Sequence, residues 1–125
     1  TLAELTDPAW TQSYHGVTCV NDYALQEILR HRPRLAAISA LTASANAAYD
    51  LCRRLRQAGV LTIFGGLHAT ACPDEAEQFC DAVCCGDGEP VWREMLDDAC
   101  AGRLKRRYRA ENWKFPSAAI LPRWD

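Results

Sequence analysis

Three short clusters hold the residues best suited to bind a ligand. Ser39 and Thr42 place two hydroxyls around Leu41. Gly65 and Gly66, followed by Leu67 and His68, remove side chains where backbone can approach something flat or bulky. Gly86, Asp87, Gly88 and Glu89 repeat the glycine pattern with two carboxylates, which disfavours an anionic phosphate there. These types permit recognition rather than bond making: hydroxyl hydrogen bonds, close backbone approach and local negative charge. The same glycines also suit plain strand-to-helix turns, and spacing alone leaves both readings open.

Other constellations carry less. Neither GxGxxG nor GxxxxGK[ST] occurs, so a dinucleotide or nucleotide-phosphate loop has no support. A phosphoacceptor domain needs an aspartate at a central strand end and a later lysine; here that end is Ser39 and Ala40, and the lysines are Lys105 and Lys114. Cys80 and Cys84 have the first spacing of an iron–sulfur C-x-x-x-C-x-x-C motif, but Asp87 stands at the third position. Buried structural cysteines are the better reading of this stretch. Cys19 and Cys52 have no partner pattern, and His15 and His31 have no supporting context. The sequence therefore offers no catalytic residue and no metal-ligand set.

The elements that must position the clusters repeat one pattern: a short apolar run, a turn, then helical spacing. Residues 35–40 are nearly continuous apolar, as in a strand covered on both faces. Residues 45–58 follow with Ala48, Leu51, Leu55 and Ala58 on one helical face, and Gly59 sits at the C-cap position. Residues 60–64 predict a second buried strand. Pro73 opens a short helix with Asp74 and Glu75 in its first turn, where the helix dipole favours acids. Residues 81–85 predict a third strand, and Pro90 opens a helix over 91–101, closed by Gly102, with Val91, Met95, Leu96 and Ala99 as its buried stripe. Upstream, residues 14–20 suit a strand, and residues 23–30 a helix with Asp22 as N-cap. Downstream, Arg103, Lys105, Arg106, Arg107 and Arg109 form a basic cluster suited to a contact with a neighbouring domain. Residues 110–125 have no periodicity and two prolines, and Trp113, Phe115 and Trp124 there suit docking onto another surface.

Strands alternating with helices predict an α/β fold: a Rossmann-like (flavodoxin-like) parallel sheet with helices on both faces. Ligands of such sheets bind at the carboxyl ends of the strands. All three clusters fall at those ends and should form one rim.

The chain has 125 residues, 49% apolar and 24% charged, with a net charge of -2. That suits one compact domain and excludes a disordered or collagen-like chain. A whole-surface nucleic-acid binder would be strongly basic, so no nucleic-acid partner is expected. No apolar run approaches the length of a membrane span, and no signal peptide is visible. Seven cysteines cannot all pair, and most sit in apolar runs. Reduced thiols and a cytoplasmic location are expected.

These residues also resemble a family. The stretch from Arg34 through Ile38, Ser39, Ala40, Leu41 and Thr42, then Phe64, Gly65, Gly66, Leu67, His68, Ala69 and Thr70, then Gly86, Asp87, Gly88 and Glu89, resembles the cobalamin-binding domain that precedes the barrel of many radical SAM enzymes. Gly102, Arg103, Leu104 and Lys105, with Leu121, Pro122, Arg123, Trp124 and Asp125, look like the segment just before such a barrel. The resemblance covers roughly residues 2–125.

It implies a cobalamin gripped at the strand ends. Ser39, Leu41 and Thr42 would face the cofactor or its nucleotide tail. Gly65 and Gly66, with Leu67 and His68 after them, would let that tail pass, and Gly86, Asp87, Gly88 and Glu89 would border the groove. The D-x-H-x-x-G motif whose histidine ligates cobalt is absent, which implies a histidine-free mode. Residues 1–109 would be the cobalamin-binding domain, shortened by its first strand. Residues 110–125 would be a linker towards the barrel of the same polypeptide, which would hold S-adenosylmethionine and an iron–sulfur cluster. The parent reaction would be methyl transfer, a cyclisation or a rearrangement. The alternative is a degenerate structural or interaction domain that binds no cofactor.

Overall fold

The computed structural model describes residues 6, 10–13, 15–17 and 20–110. Four parallel strands form one sheet in the order β1-β2-β3-β4: β1 (Leu35–Ser39), β2 (Leu61–Gly65), β3 (Ala82–Cys85) and β4 (Arg107–Arg109). Around it lie α1 (Asp22–Arg30), α2 (Ala45–Gln57), α3 (Leu67–Ala71), α4 (Pro73–Ala76) and α5 (Trp92–Cys100). The expected parallel α/β sheet, with helices on both faces, is what the chain forms.

The faces sort by alternation along the strands. Phe64, Val83 and Cys85 point to one side and pack with Ala48, Tyr49 and Cys52 of α2, Ala69 of α3 and Ala76 of α4. Ile63, Ala82 and Cys84 point to the other and pack with Trp92, Met95 and Leu96 of α5 and Tyr108 of β4. Helix α1 rests on α2, where Ile28 meets Leu51 and Leu55.

Several local expectations change. Asn21, not Asp22, caps α1: its Oδ1 accepts the Ala24 N–H at 2.9 Å. Ala58 is exposed; Tyr49 and Cys52 widen the buried face of α2 instead. Residues 15–17 and 20 carry no strand, and the rest of that expected strand lies outside the described residues. Among the described residues, β1 has a neighbour on one side only, and its Ala37 and Ser39 are exposed rather than covered. Residues 111–125, with Trp113, Phe115 and Trp124, also lie outside the described residues.

Arg103, Lys105, Arg106 and Arg107 of the basic cluster contact the domain itself. Arg107 donates to Asp74 and Glu77, Lys105 to Glu94, Arg103 to Asp98, and Arg106 to the Glu77 carbonyl. These contacts hold β4, a strand of three residues, against α4 and α5.

Candidate functional site

Strand register determines how the three clusters meet. Ser39 is paired with Gly65, and a Cβ built on Gly65 would lie 3.7 Å from the Cβ of Cys84. Ser39, Gly65 and Cys84 therefore form one row of small groups across the carboxyl end of the sheet. The row lies on the face that α5 covers lower down. Its Ser39 end is exposed.

The two paired glycines differ in kind. Gly66 has φ 95° and ψ −173°, a region reserved for glycine. A Cβ there would sit 2.8 Å from Ser39 Oγ and 2.9 Å from the Ala40 carbonyl oxygen. The end of β1 itself requires Gly66 to be bare, so the turn reading holds at this position. Gly65 is different: its Cβ would meet only ordinary contacts. No contact among the described residues requires Gly65 to be bare.

Two hydrogen-bond systems lock the clusters together. The His68 ring, 6% exposed, meets Thr42 Oγ1 through Nδ1 at 3.2 Å, and Tyr49 Oη and Glu75 Oε2 through Nε2 at 2.8 Å each. Tyr49 Oη donates to the same carboxylate oxygen at 2.8 Å. That hydroxyl, and then the His68 ring, hold Glu75 below the usual carboxylate range. Burial, and then Glu75, push the Tyr49 phenol upward. On the other side, Thr70 Oγ1 donates to the Gly66 carbonyl at 3.0 Å and accepts the Gly86 N–H at 2.8 Å. Thr42 is thus tied to the second cluster and Gly86 to its far end. Asp87 lies exposed beyond Gly86, with Gly88 and Glu89 half-buried behind it. The charges of Glu89 and Asp87 add to burial and to Cys85 in raising the Cys84 thiol to about 11.

Sequence reasoning missed Tyr49, Thr70 and Glu75. Tyr49 carries no signal of its own in the sequence, Thr70 stands only at the end of the second resembling stretch, and Glu75 reads as a first-turn acid. The crossover brings Tyr49 to His68, the chain break at Cys72 brings Glu75 there, and Thr70 reaches Gly66 within one helical turn.

The rim is flanked by apolar side chains in water: Leu41 is 59% exposed and Leu67 71% exposed. Beside it, the described residues leave a cavity of about 930 Å³ along β1, with Ser39, Ala40, Ala47, Trp92 and Leu96 in its lining. Its size is that of a pocket for a sizeable small molecule. Cys80 and Cys84 are both buried, and the Cys80 thiol donates to the carbonyls of Ala76 and Ala82.

The fold and rim define a class: an α/β domain that presents hydroxyls, a bare strand end and exposed leucines at the carboxyl edge of a parallel sheet, where such sheets take their ligands. Comparison with known proteins makes the class specific. The B12 binding domain family matches residues 2–96, and the chain belongs to that family. It is 33% identical over 88 residues to a bacteriochlorophyllide d C-8(2)-methyltransferase of Chlorobaculum tepidum. It is 35% identical over 88 residues to a bacteriochlorophyllide d C-12(1)-methyltransferase of the same organism. Each match covers 70% of this chain and 19% of the relative, so the chain spans about a fifth of the length of the curated relatives it matches. Its fold is similar to the N-terminal domain of a hypothetical protein of Thermotoga maritima, with TM-score 0.59 and 23% identity over 82% of this chain and 79% of that one. No helix among the described residues is long and apolar enough to cross a membrane.

Proposed function

We propose that this chain is a cobalamin-holding module, with the corrinoid seated on the rim and its nucleotide tail laid along the Ser39–Gly65–Cys84 row. The observation that carries this is Gly65, a bare position at a strand end that no atom of the described residues requires to be bare. Residues of the described structure fit the group. Leu41 and Leu67 offer apolar surface to the corrin ring, and Ser39 and Thr42 offer hydroxyls to its side chains or tail. Gly86, Asp87, Gly88 and Glu89 border the groove. The cavity beside β1 has room for the tail.

His68 acts in this reading as a positioning residue. Both its ring nitrogens are engaged with Thr42, Tyr49 and Glu75. That supports a histidine-free mode, in which no imidazole of this chain lies beneath cobalt. When bound, the cofactor supplies the transferable group or the reactive cobalt, while the chain supplies position and environment. Residues 1–109 form the module and 110–125 a linker. The module serves a radical SAM barrel of the same polypeptide that carries S-adenosylmethionine and an iron–sulfur cluster. Methyl transfer is the favoured parent reaction, because two similar proteins are methyltransferases by name.

The test is titration of the purified chain with hydroxocobalamin, followed by gel filtration with visible absorbance. Comigrating corrinoid is expected, with a spectrum lacking the dimethylbenzimidazole ligand. Gly65→Val should keep the fold, read by circular dichroism, and lose uptake. A folded wild-type chain that takes up no corrinoid would sink the proposal and favour the degenerate structural domain.

A further inference from the structure

A second site lies beneath the rim, on the side of the sheet covered by α2, α3 and α4. His68, Cys72 and Glu75 bring one imidazole nitrogen, one thiol sulfur and one carboxylate oxygen within 4.8 Å of one another. The arrangement follows from chain geometry. His68 and Cys72 are four residues apart, one turn of helix, and the Cys72 N–H donates to the His68 carbonyl at 2.8 Å. The chain then breaks at Cys72, with φ −130° and ψ 58°, and Pro73 restarts it as α4. That break brings Glu75 back to His68, where Oε2 lies 2.8 Å from Nε2.

We propose that His68, Cys72 and Glu75 form a binding site for a divalent cation of borderline softness, zinc first among them. The mixed N, S and O donor set is the kind that zinc accepts, and it leaves a fourth position open. Charge agrees: on binding, the Cys72 thiol proton and any proton on His68 Nε2 are released to solvent, and the resulting imidazole, thiolate and carboxylate carry two negative charges, which a divalent ion cancels. The supporting contacts agree too. Nδ1 of His68 rests against Thr42 Oγ1 at 3.2 Å, the outer hydrogen bond that fixes ring orientation in metal-bound histidines. Tyr49 Oη donates to Glu75 and can keep doing so while the carboxylate turns to the ion. His68 is buried whereas Cys72 and Glu75 are exposed, so the ion has a path in and the two outer ligands have room to adjust. Nε2 and Oε2 must part slightly to admit it.

The site shares His68 with the rim but needs no corrinoid, and it is tested without one. The purified chain is titrated with Co²⁺ as a spectroscopic stand-in for zinc. A sulfur-to-cobalt charge-transfer band with four-coordinate d–d bands is expected, displaced by Zn²⁺. Cys72→Ser should abolish the charge-transfer band and weaken zinc, measured against a chromophoric chelator, by at least the 10- to 100-fold typical of metal-site partners, roughly. Cys100→Ser, which removes the other exposed thiol among the described residues, should leave both unchanged. Zinc should also slow alkylation of Cys72 in the wild-type chain and leave Cys100 alkylation alone, a reading that needs no variant. A folded wild-type chain with no charge-transfer band overturns the proposal. A band that survives Cys72→Ser, or alkylation of Cys72 indifferent to zinc, overturns it as well and leaves the three residues as a hydrogen-bonded clamp on Thr42.

Discussion

Gly66→Ala tests whether the rim is built by close backbone approach. The new methyl group would meet Ser39 Oγ at 2.8 Å, the Ala40 carbonyl at 2.9 Å and the Ala40 amide at 3.1 Å. Two of those atoms are backbone and cannot swing away. Overpacking of this kind costs about 1–3 kcal/mol. Holding alanine at φ 95° and ψ −173° adds about 1–3 kcal/mol. The total of about 2–6 kcal/mol is a large share of the roughly 5–15 kcal/mol typical of native stability. Gly86→Ala is the matched control. Gly86 also has positive φ, 75°, but a Cβ there meets nothing within 4 Å. Only the left-handed conformation is then penalised, at about 1–2 kcal/mol. Urea unfolding of both variants, fitted with a shared slope, should place Gly66→Ala clearly lower. A loss of about 4 kcal/mol at a slope of about 2 kcal/mol/M moves the midpoint by about 2 M. Adding Ser39→Ala to Gly66→Ala removes one of the three contacts and should recover less than half of the loss. Equal midpoints for the two glycine variants, or full recovery in the double variant, would refute the close-approach reasoning.

Other outcomes follow from burial and charge. Iodoacetamide with peptide mapping should label Cys72 and Cys100 quickly in the native chain. Cys52, Cys80, Cys84 and Cys85 should react only on unfolding, since all four are buried and burial raises the first three thiols to about 12, 11 and 11. Phe64→Ala should cost about 3–5 kcal/mol in urea unfolding, because the ring is fully buried against Tyr49 at 5.2 Å between centroids. Asp98 is held below the usual carboxylate range by the Tyr108 hydroxyl and by Arg103. The unfolded chain therefore binds that proton first, so Asp98 contributes stability above a pH of about 3.9 and loses it as pH falls towards its folded value. Urea midpoints of Asp98→Asn should accordingly fall less steeply below pH of about 4 than those of the wild type.

Much of the fold was legible because strands and helices differ in apolar period. Strands β1, β2 and β3 and helices α2 and α5 fall within a residue or two of their expected bounds. Two elements were not legible. In β4, Tyr108 is the one buried residue between two exposed arginines, too little for a period of two to register. Helix α3 is five residues of mixed type, and it forms because the glycine turn before it lets the His68 N–H reach the Ala40 carbonyl at 3.4 Å. The exposure of Ala37 and Ser39 in β1 also departs from the doubly covered strand its composition predicts. Apolar composition reports that a face avoids water, not which partner covers it.

The rim shows the same division more sharply. Its glycines and hydroxyls were visible as clusters because each cluster is local in sequence. What joins them was not: Tyr49 and His68 are 19 positions apart, Thr42 and His68 26, and Thr70 and Gly86 16. These contacts alter how the paired glycines are understood. Gly66 is bare because the end of β1 lies against it, and that contact holds Ser39 in place. Gly65 is bare with no such demand from the described residues. If a ligand did not need the space above Gly65, a residue with a side chain could stand there at little cost to the sheet. On the proposed cobalamin reading, recognition would fall on Gly65 and the Ser39 beside it, while the contacts of Gly66, His68 and Thr70 hold that surface in shape.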